Sequence, residues 1–183
     1  MPRNVAVIVG SLRKESFSRK LANALAPLSR PALELKFAEI GDLPLYNEDL
    51  EPDAPAAWTR FREQIKAADA VLFVTPEYNR SVPGCLKNAI DVGSRPAGKS
   101  VWSGKPCAVV SNTPYGLGGF GANHHLRQCF VFLDMPVLQQ PEAYIPHSDK
   151  VTDGNGNIPD AATREFMSRI MNAFAAWIEK TAK

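Results

Sequence analysis

The sequence has 183 residues, of which 45% are apolar, and its 21 basic and 19 acidic residues give a formal charge of +2. This length favours a single domain over residues 1–183, and the near-balanced charge argues against a polycationic nucleic-acid binder. The longest apolar runs fall far short of the roughly 20 residues of a membrane span, and no apolar leader precedes the first strand-like segment. We therefore expect a cytoplasmic protein without membrane insertion.

Apolar segments alternate with segments of helical period through the first half of the chain. Residues 4–9 are a β-branched run that predicts a central strand, and a helix follows near 18–28 with leucines on one face. A second strand is predicted at 33–37. Apolar residues spaced by three and four predict a helix over 57–68. The most apolar run, 70–75, predicts the strand at the centre of the sheet.

The same alternation continues through the second half of the chain. A helix is predicted from about 83 to 92, where a proline suits the first turn. A strand is predicted at 106–111, a helix near 122–133, and a short strand near 137–138. The last helix, about 160–180, has an apolar stripe that must cover one face of the sheet.

Five strands and five helices in this order predict an α/β fold with a parallel sheet and helices on both faces, in three layers. Of the two common doubly wound topologies, the flavodoxin-like strand order 2-1-3-4-5 suits this length better than the six-stranded dinucleotide-binding order. Ligands of such sheets bind outside the carboxyl ends of the strands. The candidate site therefore lies in the loops after strands 1, 3 and 4.

The loop after strand 1, residues 10–19, is rich in hydroxyl groups and opens a helix, where free N–H groups favour an anion. Ser11, Arg13, Ser16 and Ser18 supply donors for a phosphate monoester. The loop has one glycine, so it matches neither a P-loop nor a dinucleotide fingerprint. The alternative is that a serine merely caps the helix while Arg13 is a solvated surface charge.

The loop after strand 3, residues 75–84, has a proline near each end and follows the most central strand. A rigid loop can be pre-organised for a ligand. Its backbone groups and Asn79 match the alternating carbonyl and N–H groups of a flavin ring, with Tyr78 available for packing. The alternative is an ordinary turn in which Tyr78 is core and Asn79 a cap.

Two long motifs carry a resemblance to a known family. Gly-Ser-Leu-Arg-Lys-x-Ser-x-Ser at residues 10–18 and Thr-Pro-Glu-Tyr-Asn-x-Ser-Val-Pro-Gly-x-Leu-Lys-Asn-Ala-Ile-Asp at 75–91 resemble the NADPH-dependent FMN reductase family, in particular its bacterial quinone and chromate reductases. The resemblance extends to residues 104–106 and 125–128. It therefore covers nearly the whole chain.

The resemblance implies a homodimer or homotetramer with one FMN per subunit. Around the phosphate it places Ser11, Arg13, Ser16, Phe17 and Ser18. Along the edge of the ring it places Pro76, Glu77, Tyr78 and Asn79. It also brings the loop after strand 4 close to the flavin, with Ser111 and Gly116 as cofactor contacts and Tyr115 as a substrate contact.

A literal G-x-G-x-x-G occurs at residues 116–121, after a strand and before a helix. We do not interpret it as a nicotinamide fingerprint, because that motif belongs to the first βαβ unit with an acidic residue about 20 positions later. His124 and His125 have no companions at ligand spacing, so no metal site is predicted. The three cysteines lack a C-x-x-C pair and are interpreted as buried apolar groups.

The predicted activity is hydride transfer from NADPH or NADH to flavin N5 and then to an oxidant, with no catalytic side chain required. Quinones suit this by shape and two-electron stoichiometry, whereas chromate or another oxyanion needs local positive charge. Arg80 and Arg95 flank the helix after the ring loop and are candidates for that charge. The alternative for Arg95 is a solvated residue or a contact between subunits. The alternatives are a flavodoxin-type electron carrier, which the charge of +2 disfavours because such carriers are acidic, and an interaction module without FMN.

Overall fold

The computed structural model describes residues 1–182 and has one sheet of five parallel strands. The strands are β1 (Arg3–Val9), β2 (Leu33–Phe37), β3 (Ala70–Thr75), β4 (Cys107–Asn112) and β5 (Tyr144–Ile145). The α-helices are α1 (Phe17–Leu28), α2 (Ala56–Lys66), α3 (Gly84–Ser94), α4 (Phe120–Phe132) and α5 (Ala161–Thr181). A short 3₁₀ helix covers Glu48–Asp53. The strand order β2-β1-β3-β4-β5 confirms the flavodoxin-like fold.

Two apolar cores cover the two faces of the sheet. On one face α1 and α5 pack over β1 through Leu25, Phe174 and Val7. On the other face α2, α3 and α4 enclose a core that includes Phe61 and Phe73. Because helices cover both faces, β1 and β3 have no solvated side, which is why their sequences lack polar alternation.

The position of β5 differs from the sequence prediction of a strand at 137–138. Val137 forms only an isolated bridge with Cys107, and the chain then leaves the sheet. The regular pairing is Tyr144 with Ser111 and Ile145 with the next residue, at the carboxyl end of β4. The bridge consists of two hydrogen bonds, from the Cys107 N–H to the Pro136 carbonyl and from the Leu138 N–H to the Cys107 carbonyl. Pro136 has no N–H to donate, so the ladder cannot extend toward earlier residues.

Helix bounds differ from the predicted ones by one or two residues, and one of these shifts affects the candidate site. The first helix begins at Phe17 because Ser16 caps it: the Ser16 hydroxyl accepts a hydrogen bond from the Arg19 N–H at 3.1 Å. Ser18 therefore lies inside the first turn. Along residues 1–182, none of the helices combines the length and the apolar character needed to cross a bilayer.

The cysteines are free thiols that serve as packing groups. Cys107 is buried, while Cys85 and Cys129 are half-buried beside the core under α3 and α4. Burial raises the pKa of all three thiols. Because the thiolate is the reactive form, this agrees with the sequence interpretation of apolar fillers.

Candidate functional site

The loops after β1, β3 and β4 meet at the carboxyl edge of the sheet and enclose a cleft of about 480 Å³. This volume lies in the range of small-molecule and cofactor sites. The predicted residues that line it are Ser11, Arg13, Ser16, Phe17, Ser18, Pro76, Glu77, Tyr78, Asn79, Arg80 and Tyr115. Three of the predicted site residues, Ser111, Gly116 and Arg95, are not part of its lining.

The first wall of the cleft is the loop after β1 together with the first turn of α1. Ser16 both caps the helix and lines the cleft, so the capping alternative holds for this residue without excluding a ligand contact. The backbone N–H groups of Phe17 and Ser18 have no protein acceptor among residues 1–182. The Arg13 guanidinium lies 5.6 Å from the centre of the Phe17 ring. This wall therefore offers a cation and open N–H donors at a helix N-terminus, the arrangement that binds a phosphate.

The second wall is a tight turn in the loop after β3. The Tyr78 N–H donates to the Ser81 carbonyl at 3.1 Å, and the Ser81 N–H donates to the Tyr78 carbonyl at 2.9 Å. Between them Asn79 and Arg80 have φ values of 49° and 63°. Two successive left-handed residues define a type I′ turn, which fixes the backbone that edges the cleft.

Glu77 joins this second wall to α4. Its Oε2 accepts hydrogen bonds from the N–H groups of Gly121 at 2.7 Å and Ala122 at 3.2 Å, and its Oε1 lies 3.3 Å from the Arg80 guanidinium. A carboxylate at a helix N-terminus is stabilised by the unpaired N–H groups and the helix dipole. Glu77 lines the cleft, but its carboxylate binds the amino end of α4 and holds the second wall in place.

Asn112, which the sequence analysis did not single out, connects all three loops. Its side chain is buried at the end of β4, and the amide nitrogen donates to Ser18 Oγ at 2.9 Å and to the Thr75 carbonyl at 3.2 Å. Thr75 ends β3, so one side chain ties the first turn of α1 to two strand ends. The sequence signal that could have identified Asn112 was a polar side chain at the carboxyl end of an apolar strand, where ligands of such sheets bind.

The third wall is the loop after β4, where Ser111 and Gly116, predicted as cofactor contacts, do not line the cleft. Ser111 is fully buried and its hydroxyl donates to the Ala143 carbonyl at 3.3 Å, because successive strand residues point to opposite sides and Asn112 takes the side of the cleft. Gly116 is exposed but lies outside the lining, which Thr113, Pro114, Tyr115 and Leu117 form instead.

Two of the three glycines of the literal G-x-G-x-x-G, Gly118 and Gly121, have packing roles. Gly118 and Gly119 have φ values of 61° and 77°, and a Cβ on Gly118 would lie 2.6 Å from the Tyr144 carbonyl carbon. A Cβ on Gly121 would lie 2.6 Å from the Arg80 carbonyl oxygen. These positions require glycine for backbone conformation or close approach, whereas a Cβ on Gly116 would meet nothing within 4 Å. Packing of the loop therefore explains two of the three motif glycines without a nicotinamide fingerprint.

Behind this third wall Tyr144 and His124 support the loop. The Tyr144 hydroxyl donates to Glu142 at 2.9 Å and lies 3.0 Å from His124 Nε2. Burial, together with the carboxylate of Glu142, raises the pKa of Tyr144 to about 12. The phenol is therefore protonated at neutral pH and serves as a neutral hydrogen-bonding group beneath the loop.

Arg95 does not support the prediction of an anion contact in this cleft. It follows the carboxyl end of α3, whereas the ring loop precedes the amino end of that helix. Its guanidinium pairs with Glu48 at 2.7 Å and Glu51 at 2.9 Å and lies 5.8 Å from the ring centre of Tyr46. Hydrogen bonds from Tyr46 and Arg95 in turn lower the pKa of Glu51. In a single chain Arg95 is thus part of an ion-pair cluster outside the cleft.

A family model described as NADPH-dependent FMN reductase matches residues 3–150, which span β1 to β5 and all three loops of the cleft. The chain belongs to this family. It is therefore an NAD(P)H-dependent flavoenzyme with FMN as its cofactor, as the two sequence motifs indicated.

Three known proteins are similar to this chain over nearly their full length. A quinone reductase from Pseudomonas putida is 62% identical over 177 residues, which cover 96% of this chain and 95% of the relative. A 2-hydroxy-1,4-benzoquinone reductase from a Burkholderia species is 46% identical, with 97% of each chain covered. The solved structure of FerB, a flavoenzyme NAD(P)H:(acceptor) oxidoreductase from Paracoccus denitrificans, superposes with a TM-score of 0.95 at 42% identity, covering 99% of this chain and all of FerB.

Proposed function

We propose that this flavoenzyme reduces quinones with NAD(P)H, using FMN held in the cleft at the carboxyl edge of the sheet. The observation that carries the proposal is the cleft itself, whose cationic, N–H-rich first wall is adjacent to a largely apolar space of about 480 Å³. The quinone reductases from Pseudomonas putida and the Burkholderia species support the choice of acceptor. When bound, FMN supplies the two-electron chemistry, and the chain supplies binding, orientation and access.

The residues present fit FMN at both ends of the cleft. At the phosphate end, Arg13, Ser11 and the open N–H groups of Phe17 and Ser18 form a donor set for a dianion with three acceptor oxygens. Ser16 contributes by holding the helix start in place.

At the ring end, the turn from Pro76 to Asn79 offers backbone groups and an amide side chain beside an apolar surface. Glu77 keeps that turn fixed against α4 and thereby positions the backbone groups that would contact the ring.

The mouth of the cleft suits a flat, apolar acceptor. Tyr115 and Leu117 are 77% and 57% exposed at its rim, and Tyr78 is half-exposed on the facing turn. Exposed apolar groups that border a cleft mark a ligand or interaction surface. Chromate, the oxyanion that the sequence also suggested, stays a prediction that the same assay can test.

The experiment that tests this function starts with the colour of the purified protein, which should be yellow with absorbance at about 450 nm from bound FMN. Oxidation of NAD(P)H is then followed with a soluble benzoquinone as acceptor. Multiple turnovers are expected. A yellow protein that does not oxidise nicotinamide would instead be an electron carrier, and a colourless protein that cannot be reconstituted with FMN would contradict the assignment of the cleft.

The phosphate wall is tested by Arg13→Ala, with Arg30→Ala as the matched control. Arg30 is exposed beyond the carboxyl end of α1, at the opposite edge of the sheet. Loss of a charge-assisted contact should raise the FMN dissociation constant of Arg13→Ala about tenfold or more. The control should match the wild type, and equal affinity in all three proteins would remove Arg13 from the phosphate site.

We also propose that the chain forms a homodimer or homotetramer in the cytoplasm. Val131 and Phe132 at the end of α4 are 82% and 89% exposed, an adjacent apolar pair that favours a protein interface. The three free thiols favour a reducing compartment. Light scattering should give two or four times the chain mass of 20.0 kDa, and Phe132→Ser should lower the mass if this pair is in the interface.

A further inference from the structure

Arg80 is the cation at the rim of the second wall. Its side chain is 74% exposed, and its contact in the described chain is a single one, to Glu77 Oε1 at 3.3 Å. The other oxygen of Glu77 is occupied by α4. The Glu77 side chain is only 11% exposed, but the contact is a single one at 3.3 Å to a guanidinium that is mostly in solvent. Solvent weakens such a contact, so the Arg80 guanidinium is available to another anion.

The backbone holds Arg80 in an unfavourable conformation for its residue type. The type I′ turn needs a positive φ at both central positions, a requirement met most easily by asparagine and glycine. Asn79 satisfies that preference and Arg80, at 63°, does not. The turn is also fixed against α4, where Gly121 leaves just enough room for the Arg80 carbonyl. Backbone strain that the surroundings enforce is concentrated at ligand sites, which makes the choice of arginine here a functional indication.

Of the two basic residues that line the cleft, one has no ligand group assigned to it by the proposed function. Among the described residues of the lining, Arg13 and Arg80 carry the basic groups. Arg13 stands in the first wall with the open N–H groups, where the proposed function places the FMN phosphate. Arg80 stands in the second wall, at the mouth through which a co-substrate enters.

NADPH and NADH differ by one phosphate monoester on the adenosine ribose, which carries about two negative charges and three acceptor oxygens. A guanidinium is the side chain best suited to such a group. We propose that Arg80 binds the 2′-phosphate of NADPH and thereby makes the enzyme favour NADPH over NADH. This proposal rests on the proposed function, since it assumes that the coenzyme enters this cleft.

The test compares Arg80→Asn with Arg80→Lys and with the control Lys14→Asn. Asparagine removes the charge and tolerates the left-handed turn, so the variant retains its backbone. Lys14 is exposed in the loop after β1 and is not part of the cleft lining, so its variant removes the same charge nearby. Arg80→Asn should raise KM for NADPH about tenfold with little change in kcat, and raise KM for NADH less than twofold. Arg80→Lys should be intermediate, and Lys14→Asn should match the wild type.

Calorimetry gives a readout that does not depend on turnover. In the FMN-loaded protein, 2′,5′-ADP should bind the wild type more tightly than ADP does, and Arg80→Asn should lose about tenfold in affinity for 2′,5′-ADP alone. An equal loss for NADPH and NADH would assign Arg80 to the shared diphosphate and overturn the proposal, as would unchanged constants. Absence of FMN binding and of turnover with both coenzymes would instead reject the proposed function, and this proposal with it.

Discussion

Asn112→Ala is the substitution that tests most directly how the cleft is held together. The variant removes the donors that Asn112 provides to the Ser18 hydroxyl and the Thr75 carbonyl, all three groups being buried. Each unmade hydrogen bond in a buried site costs about 1–3 kcal/mol, so we expect a loss of about 3 kcal/mol for the pair. For a domain of this size that is a fall in melting temperature of about 6–12 °C. Because Ser18 stands in the first turn of α1, FMN affinity should fall about tenfold as well.

The control for this prediction is Asn123→Ala. Asn123 is equally buried and also makes two side-chain contacts, donating to Ser111 Oγ at 3.2 Å and accepting from Arg127 at 2.9 Å, but it is not part of the cleft lining. Unfolding is measured on the apoprotein, so that FMN binding does not add to the stability. Both variants should be destabilised, and only Asn112→Ala should lose FMN affinity. The reasoning is refuted if Asn112→Ala melts like the wild type or if both variants bind FMN equally well.

Two further predictions concern the second wall and the last helix. In Gly121→Ala the new Cβ would lie 2.6 Å from the Arg80 carbonyl oxygen, so the turn must move. Urea unfolding should show that the free energy of unfolding falls by about 1–3 kcal/mol, and the variant should retain less FMN. Gly84→Ala, with open space around the new Cβ, should show neither effect. Asp160 caps α5 by accepting from the Thr163 N–H at 2.7 Å, and its hydrogen bonds to Thr163 lower the pKa of the carboxyl group. The cap therefore stabilises the fold above the unfolded pKa and loses this contribution as pH falls through the folded value. Asparagine also caps but does not titrate, so the stability advantage of the wild type over Asp160→Asn should shrink in melts below about pH 4, and a constant difference down to pH 2 would contradict this account.

The elements that the sequence analysis placed correctly are those with strong local patterns. The β-branched runs of β1 and β3 are buried on both faces, and the apolar stripe of α5 covers a core. The strand β5 was misplaced because a two-residue edge strand has no pattern of its own. Its position depends on pairing with the end of β4, which lies more than 30 residues earlier in the chain.

For the candidate site, the sequence determined which loops meet, because the carboxyl ends of parallel strands lie at one edge of the sheet whatever their side chains are. The individual contacts were decided by the tertiary structure. Strand pleating turned Asn112 toward the cleft and Ser111 away from it, and α4 bound the carboxylate of Glu77 from 44 positions along the chain. Arg95 lies four residues beyond the motif that contains the ring loop and stands at the far end of α3. Local sequence thus specifies elements and loops, whereas the direction of each side chain depends on partners that only folding brings near.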